Sequence, residues 1–116
     1  AVLSTLRADG SAQLSVMWAG RDGDEIVMAT KGSRRKVRNI RRDPRVTVLL
    51  HDRTTPARYV EIRGTATVTG DAAAARVLAD ELAHRYTGAA HETGSPGQEA
   101  DRVVVRIRPE RIHVSA

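Results

Sequence analysis

The stretch of this 116-residue chain best equipped for chemistry is Lys31-Gly-Ser-Arg-Arg-Lys-Val-Arg-Asn-Ile-Arg-Arg-Asp-Pro44. It follows the apolar run Glu25 to Thr30 directly, and Asp43-Pro44 ends it, because the residue before a proline avoids the α region. That frame predicts a short helix opened by Gly32-Ser33, with Ser33 as N-cap, and running to about Arg42. Arg34, Arg35 and Lys36 then fall in the first turn, where the helix dipole is positive and each cation costs about 0.3 to 1 kcal/mol. A bound phosphate reverses the sign, since first-turn N–H groups, the Ser33 hydroxyl, the Gly32 backbone and the cationic side chains can all converge on it. Asn39 follows closely enough for its amide to reach the same ligand, or to serve as a polar surface residue. A solvated basic face is the bland reading of the whole run.

Charge bookkeeping favours a local site. The formal net charge is +5, yet Lys31 to Arg45 alone carries +7, leaving −2 for the rest of the chain. That is unlike the whole-surface coat suited to nonspecific polyanion binding. Upstream, Leu14-Ser15-Val16-Met17-Trp18 places the only Trp beside a Met, a suitable wall for a planar ring, although Met17 by itself reads as core. No nucleophile with a positioned base stands out, so no catalytic side chain is expected. With no cysteine, disulfides, thiolate catalysis and cysteine-ligated metals are excluded; His51, His84, His91 and His113 are scattered without ligand spacing, so no metal is expected. Aromatics at 3% are too few for a base-stacking surface, which makes a nucleic-acid module using the Arg-rich helix an unfavoured alternative.

The elements that must position these residues are mostly strands. Val2 to Arg7 and Ala12 to Ala19 form a hairpin around Asp9-Gly10. Gly20 to Asp24 is a turn, Glu25 to Thr30 a third strand, and Arg45 to Asp52 a buried strand after the helix. Tyr59 to Val68 alternates, with Val60, Ile62, Ala66 and Val68 on one face, and Gly64 marks a bulge where a sheet bends. Gly70-Asp71 opens a helix to Tyr86 whose apolar stripe is Ala74, Val77, Leu78, Leu82 and Tyr86. Thr87 to Ala100 reads as a loop, and Arg102 to Arg108 and Arg111 to Ser115 as two closing strands. The order is that of a mainly β single domain, residues 1–116, an antiparallel barrel with two helices. Without an apolar segment long enough to span a bilayer or a signal-type start, a cytoplasmic location is expected. A small core lacking Phe favours burial of further surface by dimerisation.

These residues resemble a known family. LSTLRADGSAQLSVMW, a strand ending at Thr30, RRKVRNIRRDPRVTVLL and RYVEIRGTATV are together similar to the pyridoxamine-phosphate-oxidase-like split β-barrels, and closest to the actinobacterial branch that uses the deazaflavin coenzyme F-420. The most specific piece is a basic residue, Lys36, two residues, Asn39 and then Arg-Asp-Pro. The resemblance implies a homodimer with the cofactor in a groove between subunits. Lys36 and Asn39 would hold its phosphate beside Arg34 and Arg35, with Ser33 and Thr30 at the phosphate loop. Ser15, Val16, Met17 and Trp18 would run along the ring, and Arg58 and Tyr59 would come from the facing subunit. The implied activity is hydride transfer from reduced coenzyme F-420 to an electron-poor organic substrate. FMN on the same barrel, and a carrier that binds without turnover, are the alternatives. The C-terminal Arg-Leu-x-Pro element of pyridoxamine-phosphate oxidases proper is replaced by Arg111-Ile-His-Val-Ser-Ala116, which argues against vitamin B6 synthesis, and the usual N-terminal helix is not present in the sequence.

Overall fold

Alternation and turn chemistry build the first hairpin. In the computed structural model, which describes residues 1–89 and 100–115, β1 (Val2–Leu6) pairs antiparallel with β2 (Ala12–Val16). Gly10 takes a φ of 86° that other residues rarely adopt, and the Asp9 carboxylate accepts from the Ser11 amide and hydroxyl at 2.9 and 2.6 Å. The next segment corrects the sequence expectation. Gly20–Asp22 is a short strand, β3, paired with β4 (Glu25–Lys31), and the turn is only Gly23-Asp24, with Gly23 at φ 59°.

Helix α1 (Arg35–Arg42) stops at Asp43, as the following proline requires, and β5 (Arg45–His51) returns beside β1. β6 (Tyr59–Thr69) follows, then α2 (Ala72–Thr87), capped by the Asp71 carboxylate accepting from Ala74 N at 3.0 Å and closed by Gly88 in the left-handed region. The expected loop falls largely on residues 90–99, outside the described residues. Last comes β7 (Arg102–Val114), one strand of 13 residues where two were expected.

The bulge explains that difference. Arg63 pairs with Arg111 but Gly64 with Pro109, so β7 absorbs one extra residue, Glu110, without breaking. A Cβ at residue 64 would collide with the Arg108 carbonyl oxygen, so the bend requires glycine there.

The strands form one antiparallel sheet in the order β2-β1-β5-β6-β7-β4-β3. Flat, five steps of about 4.8 Å would hold β2 about 24 Å from β4. Instead, Val16 at the end of β2 and Thr30 of β4 line one cleft, so the sheet curls around a core that includes Leu3, Met28, Val48, Val105 and Ile107. α1 packs on β1 and β6, and α2 on β4 and β7.

On α2 the buried face is Ala75, Ala79, Leu82 and Ala83, while Val77 is 59% exposed. The expected stripe is therefore rotated: the small alanines let the helix lie close to the sheet, and the larger Val77 and Leu78 edge a groove. Among the described residues no helix is long and apolar enough to cross a membrane. Replacing Gly64 with Ala is expected to lower stability by about 1 to 3 kcal/mol, read as a lower urea midpoint, because the added methyl meets backbone that cannot rotate away; an unchanged midpoint would show that the bulge tolerates a side chain.

Candidate functional site

The end of β2, the edge of β4 and the start of α1 enclose a cleft of about 420 Å³. Val16, Met17, Trp18, Thr30, Arg34 and Lys36, six of the residues expected from sequence, line it together. One wall is aromatic. Trp18 stacks on Tyr86 of α2 with ring centroids 5.5 Å apart and planes 17° from parallel, and the Tyr86 hydroxyl donates to Ala19 O at 3.2 Å while Ala19 N donates to it at 3.3 Å. These bonds fix Trp18 from behind, leaving it 38% exposed.

The other end is cationic. The Lys36 ammonium is half-buried and donates to the Met17 thioether sulfur at 3.1 Å, a neutral acceptor. Burial, reinforced by the charge of Arg34, holds its pKa below the ordinary lysine value of 10.5. The first turn of α1 carries no acidic residue and its N-cap makes no side-chain bond. Asp43 is spent on Arg45 through a bond of 2.6 Å that holds its carboxyl down to about 2. Among the described residues Arg34, Arg35, Lys36, Arg38 and Arg41 therefore make no ion pair.

A second groove of about 420 Å³, between α2 and the β3–β4 edge, provides a contrast. Its Arg106 is already matched by Asp22 at 2.8 Å and Glu25 at 3.5 Å. In the Trp18 cleft, by contrast, Arg34 and Lys36 face no carboxylate partner among the described residues.

Several expected residues lie elsewhere, each for a physical reason. Ser33 is not the N-cap: Asp101, just before β7, accepts from Ser33 N at 3.1 Å and Gly32 N at 2.7 Å, so Arg34 takes the cap position. The Gly32 and Ser33 amides are thus engaged within the chain rather than turned to an anion. Arg35 is exposed, on the solvent side of α1. Asn39 is 1% exposed; its amide donates to Thr5 Oγ1 at 3.0 Å and accepts from Arg42 at 3.2 Å. The Ser15 hydroxyl is buried without a hydrogen-bond partner among the described residues. Arg58 and Tyr59 line a separate groove with Leu50 and Val114.

Sequence reasoning missed Ala29, Ala79, Leu82 and Arg102, which complete the cleft lining. Arg102 is 6% exposed, and the register that pairs it with Lys31 joins two segments 71 residues apart, which no local pattern reveals. Tyr86 had a signal, its helical spacing from Leu82, but that pattern marks a core stripe rather than a brace for Trp18.

Comparison with known proteins agrees with this geometry. An F-420 reductase structure is 34% identical, with a TM-score of 0.81, over 97% of this chain and 86% of that one. The conserved hypothetical protein Rv2991 from Mycobacterium tuberculosis is 33% identical, with a TM-score of 0.78, over 98% and 74%. A putative pyridoxamine 5'-phosphate oxidase from Listeria innocua, 24% identical with a TM-score of 0.72 over 97% and 85%, shares the fold. No curated protein matches the chain. The family model for pyridoxamine 5'-phosphate oxidase matches residues 1–116, the whole chain, and the protein belongs to that split-barrel family.

Proposed function

We propose that this protein is an oxidoreductase that binds coenzyme F-420 in the Trp18 cleft, at a homodimer interface, and uses it to reduce an electron-poor organic substrate. The observation that carries the proposal is Lys36: a half-buried ammonium beside Arg34, bonded to a thioether instead of a carboxylate, at one end of a cleft walled by a braced Trp. Withdrawing a cation from water without an anion is unfavourable. A phosphate supplies the missing charge, and the Trp18 face suits the attached planar ring. The 34% identity to a structure named as an F-420 reductase supports the deazaflavin over FMN.

Reduced deazaflavin, when bound, supplies the hydride. The chain's own residues bind and orient it. Lys36 and Arg34 hold the phosphate, while Arg38 and Arg41, exposed along α1, attract the remaining anionic tail. Met17 and Trp18 fix the ring plane, and Thr30, 9% exposed, lies at the cleft's polar edge. A second copy of the chain is part of the proposal because Arg58 and Tyr59 lie outside the cleft of their own protomer. The exposed apolar side chains Leu14, Val16, Ile112 and Val114 offer surface for such a partner.

Titration followed by Trp18 fluorescence tests the site. Coenzyme F-420 is expected to bind more tightly than FMN, and riboflavin, which lacks the phosphate, more weakly than FMN. Preference for FMN would move the protein to flavin chemistry, and equal binding of FMN and riboflavin would remove the phosphate seat. Lys36→Ala is expected to weaken F-420 binding by about 1.5 to 3 kcal/mol, the range for a charge-assisted hydrogen bond. The same bond predicts a pH dependence. The free protein's Lys36 pKa is lowered and a bound phosphate raises it, so affinity should fall as pH rises toward 10.5. Lys36→Arg should bind with a flat profile over that range, since guanidinium stays protonated; a wild-type affinity that does not change with pH would exclude Lys36 from the phosphate contact.

A further inference from the structure

We propose that Asn39 is a positioning residue, the centre of a buried strut that sets α1, and with it Lys36 and Arg34, against β1 and β2 and so against the segment after β2 that carries Met17 and Trp18. The proposal rests on the cleft being the phosphate seat, and it removes Asn39 from the direct phosphate contact expected from sequence.

α1 needs such a support. Eight residues are too few for a helix to persist without tertiary contacts. Its first turn gathers cations at the positive end of the dipole and has no side-chain cap. Val37 and Ile40 bury its apolar face, but apolar contacts are not directional and leave the helix free to slide or rotate. Besides the Lys36–Met17 contact at the cleft, the directional contacts come from Asn39 and Arg42. The Asn39 amide group donates to Thr5 Oγ1 at 3.0 Å, and the Thr5 hydroxyl in turn donates to Gln13 Oε1 at 3.1 Å. Arg42 donates to Asn39 Oδ1 at 3.2 Å and to the Leu6 carbonyl.

Thr5 and Gln13 already face each other across the β1–β2 ladder, so one set of bonds ties α1 to both strands. Thr5 is 0% and Asn39 1% exposed. Each side chain is occupied in a place water does not enter, which makes the bonds strong and their geometry specific. Asn39 has no exposed face to offer a ligand. Lys36, one turn earlier on the same helix, does.

A double-mutant cycle between Thr5 and Asn39 separates strut from ligand contact, because Thr5 belongs to the strut alone. The variants are Asn39→Ala, Thr5→Val, which keeps the side-chain shape, and their combination; Gln13→Met, nearer the surface, is the second route should Thr5→Val not fold. FMN and riboflavin are the probes, with hydrogen exchange of the α1 amides measured without ligand. Each single variant is expected to lower FMN affinity by about tenfold with riboflavin little changed, the combination to be no worse than either single change, and Thr5→Ser to restore affinity. The α1 amides should exchange faster in Thr5→Val, as in Asn39→Ala. Loss of affinity in Asn39→Ala with none in Thr5→Val, or losses that multiply, would overturn the strut and return Asn39 to the phosphate. If the unaltered protein binds neither coenzyme F-420 nor FMN, the functional reading fails by itself; exchange then decides the strut, and unchanged α1 exchange in Thr5→Val would overturn it.

Discussion

The arrangement depends on one ammonium. Lys36 is drawn half out of water by the fold, yet the group it touches, the Met17 sulfur, has no charge to give it. A carboxylate there would stabilise the free protein and close the site, because a buried ion pair resists separation. A thioether orients the lysine without cancelling it. The cleft thus keeps an unpaid electrostatic cost in the free protein that a ligand phosphate relieves, while Arg34 raises that cost and so the gain on binding.

The remainder of the fold serves to hold that charge beside an aromatic wall. Curling of the sheet brings the end of β2 to the edge of β4, and the Gly64 bulge, where Glu110 is the extra residue, lets β6 and β7 bend together. α2 contributes Tyr86 behind Trp18, its alanine face lying close enough to the sheet for the rings to stack. Asp101 secures the Gly32-Ser33 approach to α1, and Asn39 secures its underside. Each contact joins segments far apart in sequence.

That separation decides what could be read from sequence. Strand alternation, the Asp9-Gly10 turn, Asp71 as a helix start and Asp43-Pro44 as a stop are local signals, and the structure follows them. The basic run was legible because its cations break a local rule at the helix N-terminus. The N-cap was not: Ser33 satisfies the local preference, but Asp101, 68 residues on, claims its amide. Likewise Asn39 looks like a ligand donor by spacing, and only the packing of α1 on β1 reveals Thr5 beneath it. The α2 stripe failed for a related reason, since hydrophobicity alone ranks Val77 above Ala75 whereas a close helix–sheet contact selects the smaller side chain. Arg102 enters the cleft through strand register, which a single sequence does not encode locally.

The most direct test is a crystal structure of the protein with coenzyme F-420 bound. The phosphate is expected in hydrogen-bonding contact with Lys36 Nζ and beside Arg34, the deazaflavin ring along Met17 and Trp18, and Arg58 and Tyr59 of a second copy closing the groove. A ligand seated in the α2 groove beside Arg106, or one whose phosphate lies in solvent away from Lys36, would contradict the account.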